Sequence, residues 1–389
     1  MRFQSYFNTA VSLIKSYDGS MPLQHFLKQY FSQHKKHGSK DRKFITHLCY
    51  CYYRLGHSLK GYNVEEKLRT AIYLCNDTVA DWQLLFDETW NEWSGNLKDR
   101  IIFIQKIYPT FSVQDIFPWK DALTENIDVT EFAASHLIQP DLFLRVRPNR
   151  GKVVFENLQA HQISFQQLSS TCLALPNSSK IDSILKMDED IVVQDHSSQK
   201  IADFLQLLAI HDSRFTIWDC CAASGGKSIL AVDILQNVQL TVSDIRASIL
   251  QNLKQRFAKA GIKKFDSFIA DLTKPINLST YQLFNLIICD APCSGSGTWG
   301  RTPEQLYFFN EEKISEYAAL QRKIITNAVP HLANGGYFLY ITCSVFKNEN
   351  EAAIEFIKKA FHLELIKMEC LQGYSQKADS MFAALFKKG

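Results

Sequence analysis

Nowhere in the 389 residues do eighteen apolar residues run together, so no segment reads as a membrane-spanning helix. The start, Met1-Arg-Phe-Gln-Ser-Tyr-Phe7, lacks a cationic stretch followed by an apolar core, and secretion is not expected. The ten cysteines lack the regular spacing of a disulfide framework, which argues for reduced thiols and a cytoplasmic protein. Metal-site spacing is missing as well. Cys49 and Cys51 are one residue apart in a helical context, and Cys289 and Cys293 have no second pair, so no metal is expected. No internal repeat or low-complexity tract is evident, which excludes solenoids and extended disordered tails. Neither sign of charge dominates, since the formal net charge is only +3.

What is present is a chain with 46% hydrophobic residues, long enough for two or three domains with a sizeable core. Its charge is unevenly placed: residues 1–60 carry ten Lys/Arg, five His and two Asp/Glu, whereas residues 61–135 carry six Lys/Arg and thirteen Asp/Glu. A basic N-terminal face suits a polyanion, and suits a solvated helix face equally. Apolar residues recur at helical spacing from Phe7 to about Leu137, as in Ala10, Leu13 and Ile14, or Phe44, Leu48 and Cys51, so residues 1–137 read as an all-helical domain. A helix entry is expected at Ser39-Lys-Asp41, with Arg42, Lys43 and Arg54 on the helix that follows, where they serve either phosphates or solvent. Residues 138–210 read as a small α/β subdomain. Its basic cluster, Arg145, Arg147, Arg150 and Lys152, has the charge to neutralise several phosphates, although a solvated loop has the same composition.

Beyond Arg214 the pattern alternates strand and helix, the signature of a mostly parallel sheet in a domain spanning residues 211–389. Strands are expected at Phe215–Asp219, Leu240–Asp244, Phe265–Ala270, Phe284–Cys289, Tyr337–Ile341, Leu363–Met368 and Met381–Phe386. Helices are expected at Lys227–Gln236, Ala247–Ala260, Glu311–Leu332 and Asn350–Phe361. No convincing helix separates the last two strands, so they should form an antiparallel pair.

The first strand runs into Asp219-Cys-Cys-Ala-Ala-Ser-Gly-Gly-Lys-Ser228, a turn of small residues whose backbone amides can receive a ligand at a helix N-terminus. Gly226-Lys227-Ser228 is also the ending of a phosphate-binding P-loop, but that motif needs a glycine at the position of Cys221, and Asp219 would oppose bound phosphates. Asp244 ends the next strand, where a carboxylate can accept both hydroxyl protons of a ribose. Asp271 and Asp290 follow at the ends of the third and fourth, so four strands in turn are expected to finish in aspartate. Each alone is more often a cap or turn residue, but four at one edge would crowd negative charge unless ligands used it. The fourth strand opens into Asp290-Ala-Pro-Cys293-Ser-Gly-Ser-Gly-Thr298, and the fifth ends in Tyr340-Ile-Thr-Cys343-Ser344. Two thiols and a carboxylate thus converge beside a nucleoside-binding edge, where a thiolate is a good carbon nucleophile for pyrimidine chemistry.

In the order of these motifs the chain resembles the Sun/Fmu-type RNA (cytosine-5) methyltransferases, near the bacterial ribosomal RNA branch with a NusB-like N-terminal domain. Asp219 to Ser228 is similar to that family's cofactor loop, Asp290-Ala-Pro-Cys293 and Thr342-Cys343-Ser344 to its two cysteine motifs, and Asn348-Glu-Asn-Glu351 follows the second. Leu144-Arg-Val-Arg147, Ile191 to Gln199, and Ser39-Lys-Asp-Arg42 through Arg54 resemble its upstream motifs. Ser224 stands where proline is usual, and Trp299-Gly300 and Asp379-Ser-Met-Phe382 also depart from the pattern.

The resemblance implies a Rossmann-like, seven-stranded α/β methyltransferase sheet. It implies S-adenosylmethionine held by Cys221, Ala222, Ala223, Ser224, Gly225, Gly226 and Lys227, with Asp244 on the ribose, Asp271 near the adenine and Asp290 at the reacting centre. It further implies Cys343 as nucleophile, Cys293 as the residue assisting elimination, and Arg145, Arg147, Arg150, Lys152 and Arg301 as contacts to an RNA substrate. Ribosomal RNA is the first expectation and transfer RNA the second, with a monomeric, non-membrane protein. A catalytically idle RNA-binding scaffold and a P-loop nucleotide hydrolase are the competing classes.

Overall fold

The computed structural model describes residues 2–78, 82–90, 93–209, 214–276 and 283–389. The chain divides into two compact units, one of Met1–Asp121, Ile127–Gln139 and Thr298–Glu311, the other of Ala122–Asn126, Pro140–Gly297 and Glu312–Gly389. No helix among the described residues is long and apolar enough to cross a membrane.

The first unit is helical, with its longer helices at Arg2–Ser16, Leu23–Gln33, Ser39–Arg54, Val64–Cys75 and Leu97–Ile107. Helical spacing brings Ile45, Leu48 and Tyr52 onto one buried face. The helix Val64–Cys75 starts with a reciprocal cap, in which the Glu66 N–H donates to the Asn63 side chain and the Asn63 N–H donates back to the Glu66 carboxylate. The helix expected from Ser39 does begin there, with the Asp41 carboxylate accepting the Gly38 N–H at 2.9 Å.

Arg54 does not reach solvent. It is buried and donates to the carbonyls of His136 and Ile138 at 2.8 and 3.0 Å and to the Gln139 side chain at 2.6 Å, so it pins the chain where it leaves this unit. Trp299, which departs from the family pattern, is buried among Phe117, Trp119 and Phe309 of the same unit. Thr298–Glu311 therefore packs with the helical residues, although it lies within the sequence of the sheet domain.

The second unit contains two sheets. Strands β1 (Leu142–Val146), β2 (Gln166–Gln167), β3 (Cys172–Leu175) and β4 (Ile191–Val193) form an antiparallel sheet in the order β2-β3-β1-β4. The larger sheet comprises β5 (Phe215–Asp219), β6 (Val238–Asp244), β7 (Phe265–Ile269), β8 (Phe284–Asp290), β9 (Leu332–Thr342), β10 (Glu364–Leu371) and β11 (Met381–Lys387), in the order β10-β11-β9-β8-β5-β6-β7. Strands β5 to β9 are parallel, and β11 lies antiparallel to both β9 and β10, as the missing helix between the last two strands predicts.

The apolar run of β8 alternates between the two faces. Leu286 and Ile288 join one core, and Ile287 and Cys289 the other, so both faces are covered and no polar alternation is possible. Two boundaries differ from the sequence pattern. The helix Glu312–Ala328 stops short of Leu332 because Pro330 has no N–H to continue it, and β9 begins at Leu332. The third strand, β7, ends at Ile269 rather than at Asp271. The strand order reverses at β5: the chain runs outward through β6 to β7 on one side and resumes with β8 on the other, which opens a crevice at the carboxyl ends of these strands.

Candidate active site

Between β5 and the helix Gly226–Leu235 the chain turns on two left-handed residues, Ala223 at φ 44° and Gly225 at φ 83°. A Cβ on Gly225 would lie 2.6 Å from the Phe257 ring, so glycine is required there, while space in front of Gly226 is open. The turn is held from several sides. The Ala222 N–H donates to the Ser243 carbonyl, the Ala223 N–H donates to the Asp244 carboxylate at 3.0 Å, and Arg256 donates to both the carbonyl and the hydroxyl of Ser224 at 2.9 Å while pairing with Asp188. Lys227 points to Asp290 at 3.1 Å and to the Ser198 hydroxyl at 2.8 Å. A lysine committed to carboxylate and hydroxyl is not the phosphate-cradling lysine of a P-loop, and the alternative of a nucleotide hydrolase loses its central residue.

Asp219 closes β5 and is fully buried. One of its oxygens accepts the Ser228 hydroxyl at 2.6 Å and the other has no hydrogen-bond partner among the described residues. Burial pushes its carboxyl up to about 7, with Asp290 and Cys221 adding to the rise and Ser228 and Lys227 opposing it. Asp244 is buried; one oxygen accepts both the amide and the side-chain Nε of Arg246 at 2.9 and 3.1 Å, and the other accepts the Ala223 amide and keeps a second lone pair for a ligand. Asp271 is not a strand tip. It sits two residues past β7, closes a turn onto the amide and hydroxyl of Thr273, and those bonds hold its carboxyl below the usual range. The picture of four aspartate-tipped strands is therefore corrected to three, since β7 stops at the last residue paired with β6.

The two cysteine motifs meet. Cys293 Sγ and Cys343 Sγ are 3.2 Å apart, both part-exposed. Their loops are laced together. The Gly297 N–H donates to the Cys343 carbonyl at 2.9 Å, the Ser380 N–H donates to the Gly297 carbonyl at 2.8 Å, and the Val345 N–H donates to the Ser296 hydroxyl at 2.9 Å. A Cβ on Gly297 would fall 1.9 Å from the Ser380 carbonyl oxygen, so this close approach admits only glycine.

Beneath the thiols lies Glu349, fully buried. One oxygen accepts the Ser294 and Ser344 hydroxyls at 2.6 Å each, and the other accepts the Ser294 N–H and the Gln321 amide at 2.9 Å each. Burial still pushes its carboxyl up, because these four donors only partly replace water. The hydrogen bond to Cys343, followed by burial, raises the Cys293 thiol well above its usual range. Sequence reasoning quoted Asn348 to Glu351 and Ile191 to Gln199 as motifs but gave Glu349 and Ser198 no task. Arg256 left no signal at all.

The expected RNA-contacting cations separate into two kinds. Arg145 is buried, donates to Gln194 at 2.7 Å and pairs with Asp233 at 2.5 Å; Arg147 pairs with the other oxygen of Asp233 at 2.6 Å and donates to the carbonyls of Asp188 and Ala260. These two are removed from the candidate phosphate contacts, because the Asp233 carboxylate and chain carbonyls hold them and the remaining Arg145 nitrogen, Nη2, is sealed from solvent without a hydrogen-bond partner among the described residues. Arg150 is partly open beside Glu189 and Asp190, and the Lys152 side chain is 89% exposed. Arg301 lies half-buried in the Thr298–Glu311 stretch of the helical unit.

A parallel sheet with a reversed terminal pair, a glycine turn after its first strand and acidic residues at the neighbouring strand ends define the Rossmann-like fold of S-adenosylmethionine-dependent methyltransferases. Residues 205–386 match the family model described as 16S rRNA methyltransferase RsmB/F.

Among curated proteins, the chain is similar to the ribosomal RNA small subunit methyltransferase B of Xanthomonas campestris, with 30% identity over 212 residues covering 51% of this chain and 48% of the relative. It is also similar to the protein of that name from Escherichia fergusonii, with 31% identity over 185 residues covering 44% and 42%. The chain thus spans about half the length of the curated relatives it matches. Two solved structures share the fold: PH0851, with a TM-score of 0.70 at 18% identity over 98% of both chains, and NSun6 from Pyrococcus horikoshii with SFG, with a TM-score of 0.57 at 16% identity over 68% of this chain and 96% of that one.

Proposed function

We propose that the protein methylates carbon 5 of a cytosine in small-subunit ribosomal RNA through a covalent bond between Cys343 and the base. The observation that carries this reading is the 3.2 Å approach of the Cys293 and Cys343 sulfurs at the strand edge that also presents Asp290. A methyltransferase acting on an exocyclic amine or a hydroxyl has no use for a pair of thiols. Carbon 5 of a pyrimidine is not nucleophilic until a nucleophile adds at carbon 6.

The residues of the turn after β5 fit S-adenosylmethionine. Open space faces Gly226, backbone amides surround the turn, and Asp244 supplies negative charge that suits a sulfonium and opposes a polyphosphate. Cys221 to Lys227 would hold it, with Asp244 on the ribose and Asp271 toward the adenine. Bound there, S-adenosylmethionine supplies the methyl group.

The remaining work belongs to the chain. Cys343 adds as thiolate to carbon 6, Asp290 holds a proton at the ring nitrogen as charge develops, and Lys227 positions Asp290 through its ion pair. After transfer, carbon 5 loses its proton, with Cys293 assisting, and the bond from Cys343 to carbon 6 breaks to restore the ring. Lys152 and Arg150 at the start of the helix Gly151–Ala160 and Arg301 on the helical unit contact RNA phosphates, and the helical residues 1–137 act as an RNA-binding module of a monomeric, cytoplasmic protein.

The test is incubation of the full chain with methyl-labelled S-adenosylmethionine and, separately, small-subunit ribosomal RNA, transfer RNA and unrelated RNA, followed by nucleoside analysis. Label in 5-methylcytidine from ribosomal RNA is expected. Label in transfer RNA alone would move the substrate, and no label in any RNA would favour an assembly scaffold.

A further inference from the structure

Directly behind the proposed reaction centre lies a second group of thiols that this chemistry does not use. Cys220 and Cys221 follow the end of β5, Cys289 is the penultimate residue of β8, and their three sulfurs all lie within 4.8 Å of one another. The arrangement is fixed by backbone. The Cys220 N–H donates to the Ile288 carbonyl at 2.9 Å, which ties the two strand ends beside each other, and Cys289 is set in the β8–β9 ladder opposite Tyr340. Cys220 and Cys289 are almost wholly buried, whereas Cys221 is part-exposed.

We propose that Cys220, Cys221 and Cys289 form a three-thiolate site for one soft cation of the zinc or copper(I) class. Thiolates select such ions over hard cations such as magnesium and calcium. A zinc–sulfur bond of about 2.3 Å places tetrahedral sulfur ligands roughly 3.8 Å apart. Three sulfurs already gathered within 4.8 Å need only sub-ångström shifts to reach that spacing. Three protein ligands leave a coordination position open, and the part-exposed Cys221 marks the side from which an ion enters. Each ligating thiol releases its proton to solvent and gives a lone pair to the ion, so no oxidant or reductant is needed. The site joins the cofactor turn to the strand carrying Asp290. Its third ligand is 68 positions from the second, which is why local cysteine spacing gives no sign of it.

The test uses the full chain, reduced and anaerobic, with cobalt(II) as the spectroscopic probe and zinc(II) as competitor. It does not depend on which RNA is methylated, or on whether any is. One equivalent of cobalt(II) should produce thiolate-to-metal charge-transfer absorption that zinc(II) abolishes. Cys220→Ala and Cys289→Ala should each weaken binding about 100-fold or more, while the double variant Cys293→Ala/Cys343→Ala should retain it. Cadmium NMR of the unsubstituted chain reads the number of bound thiolates without relying on any variant folding, and a three-thiolate shift is expected. Absence of the charge-transfer band at one equivalent, a two-thiolate cadmium shift, or loss of the band only in the Cys293/Cys343 variant would each overturn the site.

Discussion

Five of the ten cysteines gather at the carboxyl edge of the large sheet, and the fold puts them in two different environments. Cys293 and Cys343 are part-exposed, on loops braced by serine hydroxyls over the buried Glu349. Cys220, Cys221 and Cys289 sit behind them, with two of the three sealed in the core. Hydrogen bonds from the Cys220 and Cys221 thiols favour a thiolate on Cys289, while burial pushes Cys220 up. The same side chain is offered to a substrate in one place and gathered into a ligand-like cluster in the other. Access and neighbours make the difference, since a thiolate acts on a base only where the base can reach it.

The largest expected effect separates the two groups directly. Cys343→Ala should reduce methyl transfer at least about 1,000-fold with only a small change in thermal midpoint, because it removes the nucleophile from a part-exposed position at the margin of the core. Cys293→Ala should instead accumulate a protein–RNA adduct visible on a denaturing gel. Adduct formation by the Cys343 variant would exchange the two roles.

Next in size is the pH dependence at Asp219, whose folded carboxyl stands at about 7 against an ordinary value of 3.8. The fold favours the protonated form, so its contribution is fully present below about pH 4 and is lost as pH rises through 7, an upper bound of about 4 kcal/mol. Asp219→Asn should flatten the profile of denaturant stability between about pH 4 and pH 7, and an unchanged slope would remove Asp219 as its source.

Glu349→Ala should destabilise by about 3 kcal/mol, because the Ser294 and Ser344 hydroxyls and the Gln321 amide lose a buried acceptor. The urea midpoint reads this, and Glu349→Gln should lose less. The smallest effect is kinetic: iodoacetamide on the native protein should label Cys293 and Cys343 at least about tenfold faster than Cys220 and Cys289, read by peptide mass spectrometry. Equal rates would erase the contrast between open and sealed thiols.

Much of the sheet was legible because its signals are local. Short apolar-rich runs located β5, β8 and β11 to within a residue or two, and the absence of a helix before Met381 announced the antiparallel pair. The Asp290 to Cys293 and Thr342 to Ser344 motifs announced which thiols would matter, and the register of β8 on β9 brings them together. The cations were less legible. Arg145 and Lys152 look alike in a basic cluster, yet one is clamped by Asp233 and the other is solvated, because the strand faces inward at Arg145 and the helix faces outward at Lys152.

The sequence by itself determined the order of strands and helices and located the two cysteine motifs at strand ends, since periodicity and turn chemistry act between residues a few positions apart. Only the tertiary structure decided which arginines are pins, that Trp299 belongs to the helical unit, that Asp271 is a turn residue and that Cys289 lies against Cys220 and Cys221. Each of those depends on which distant segment lies alongside, and a pairing across 68 or 88 positions leaves no periodic trace along the chain.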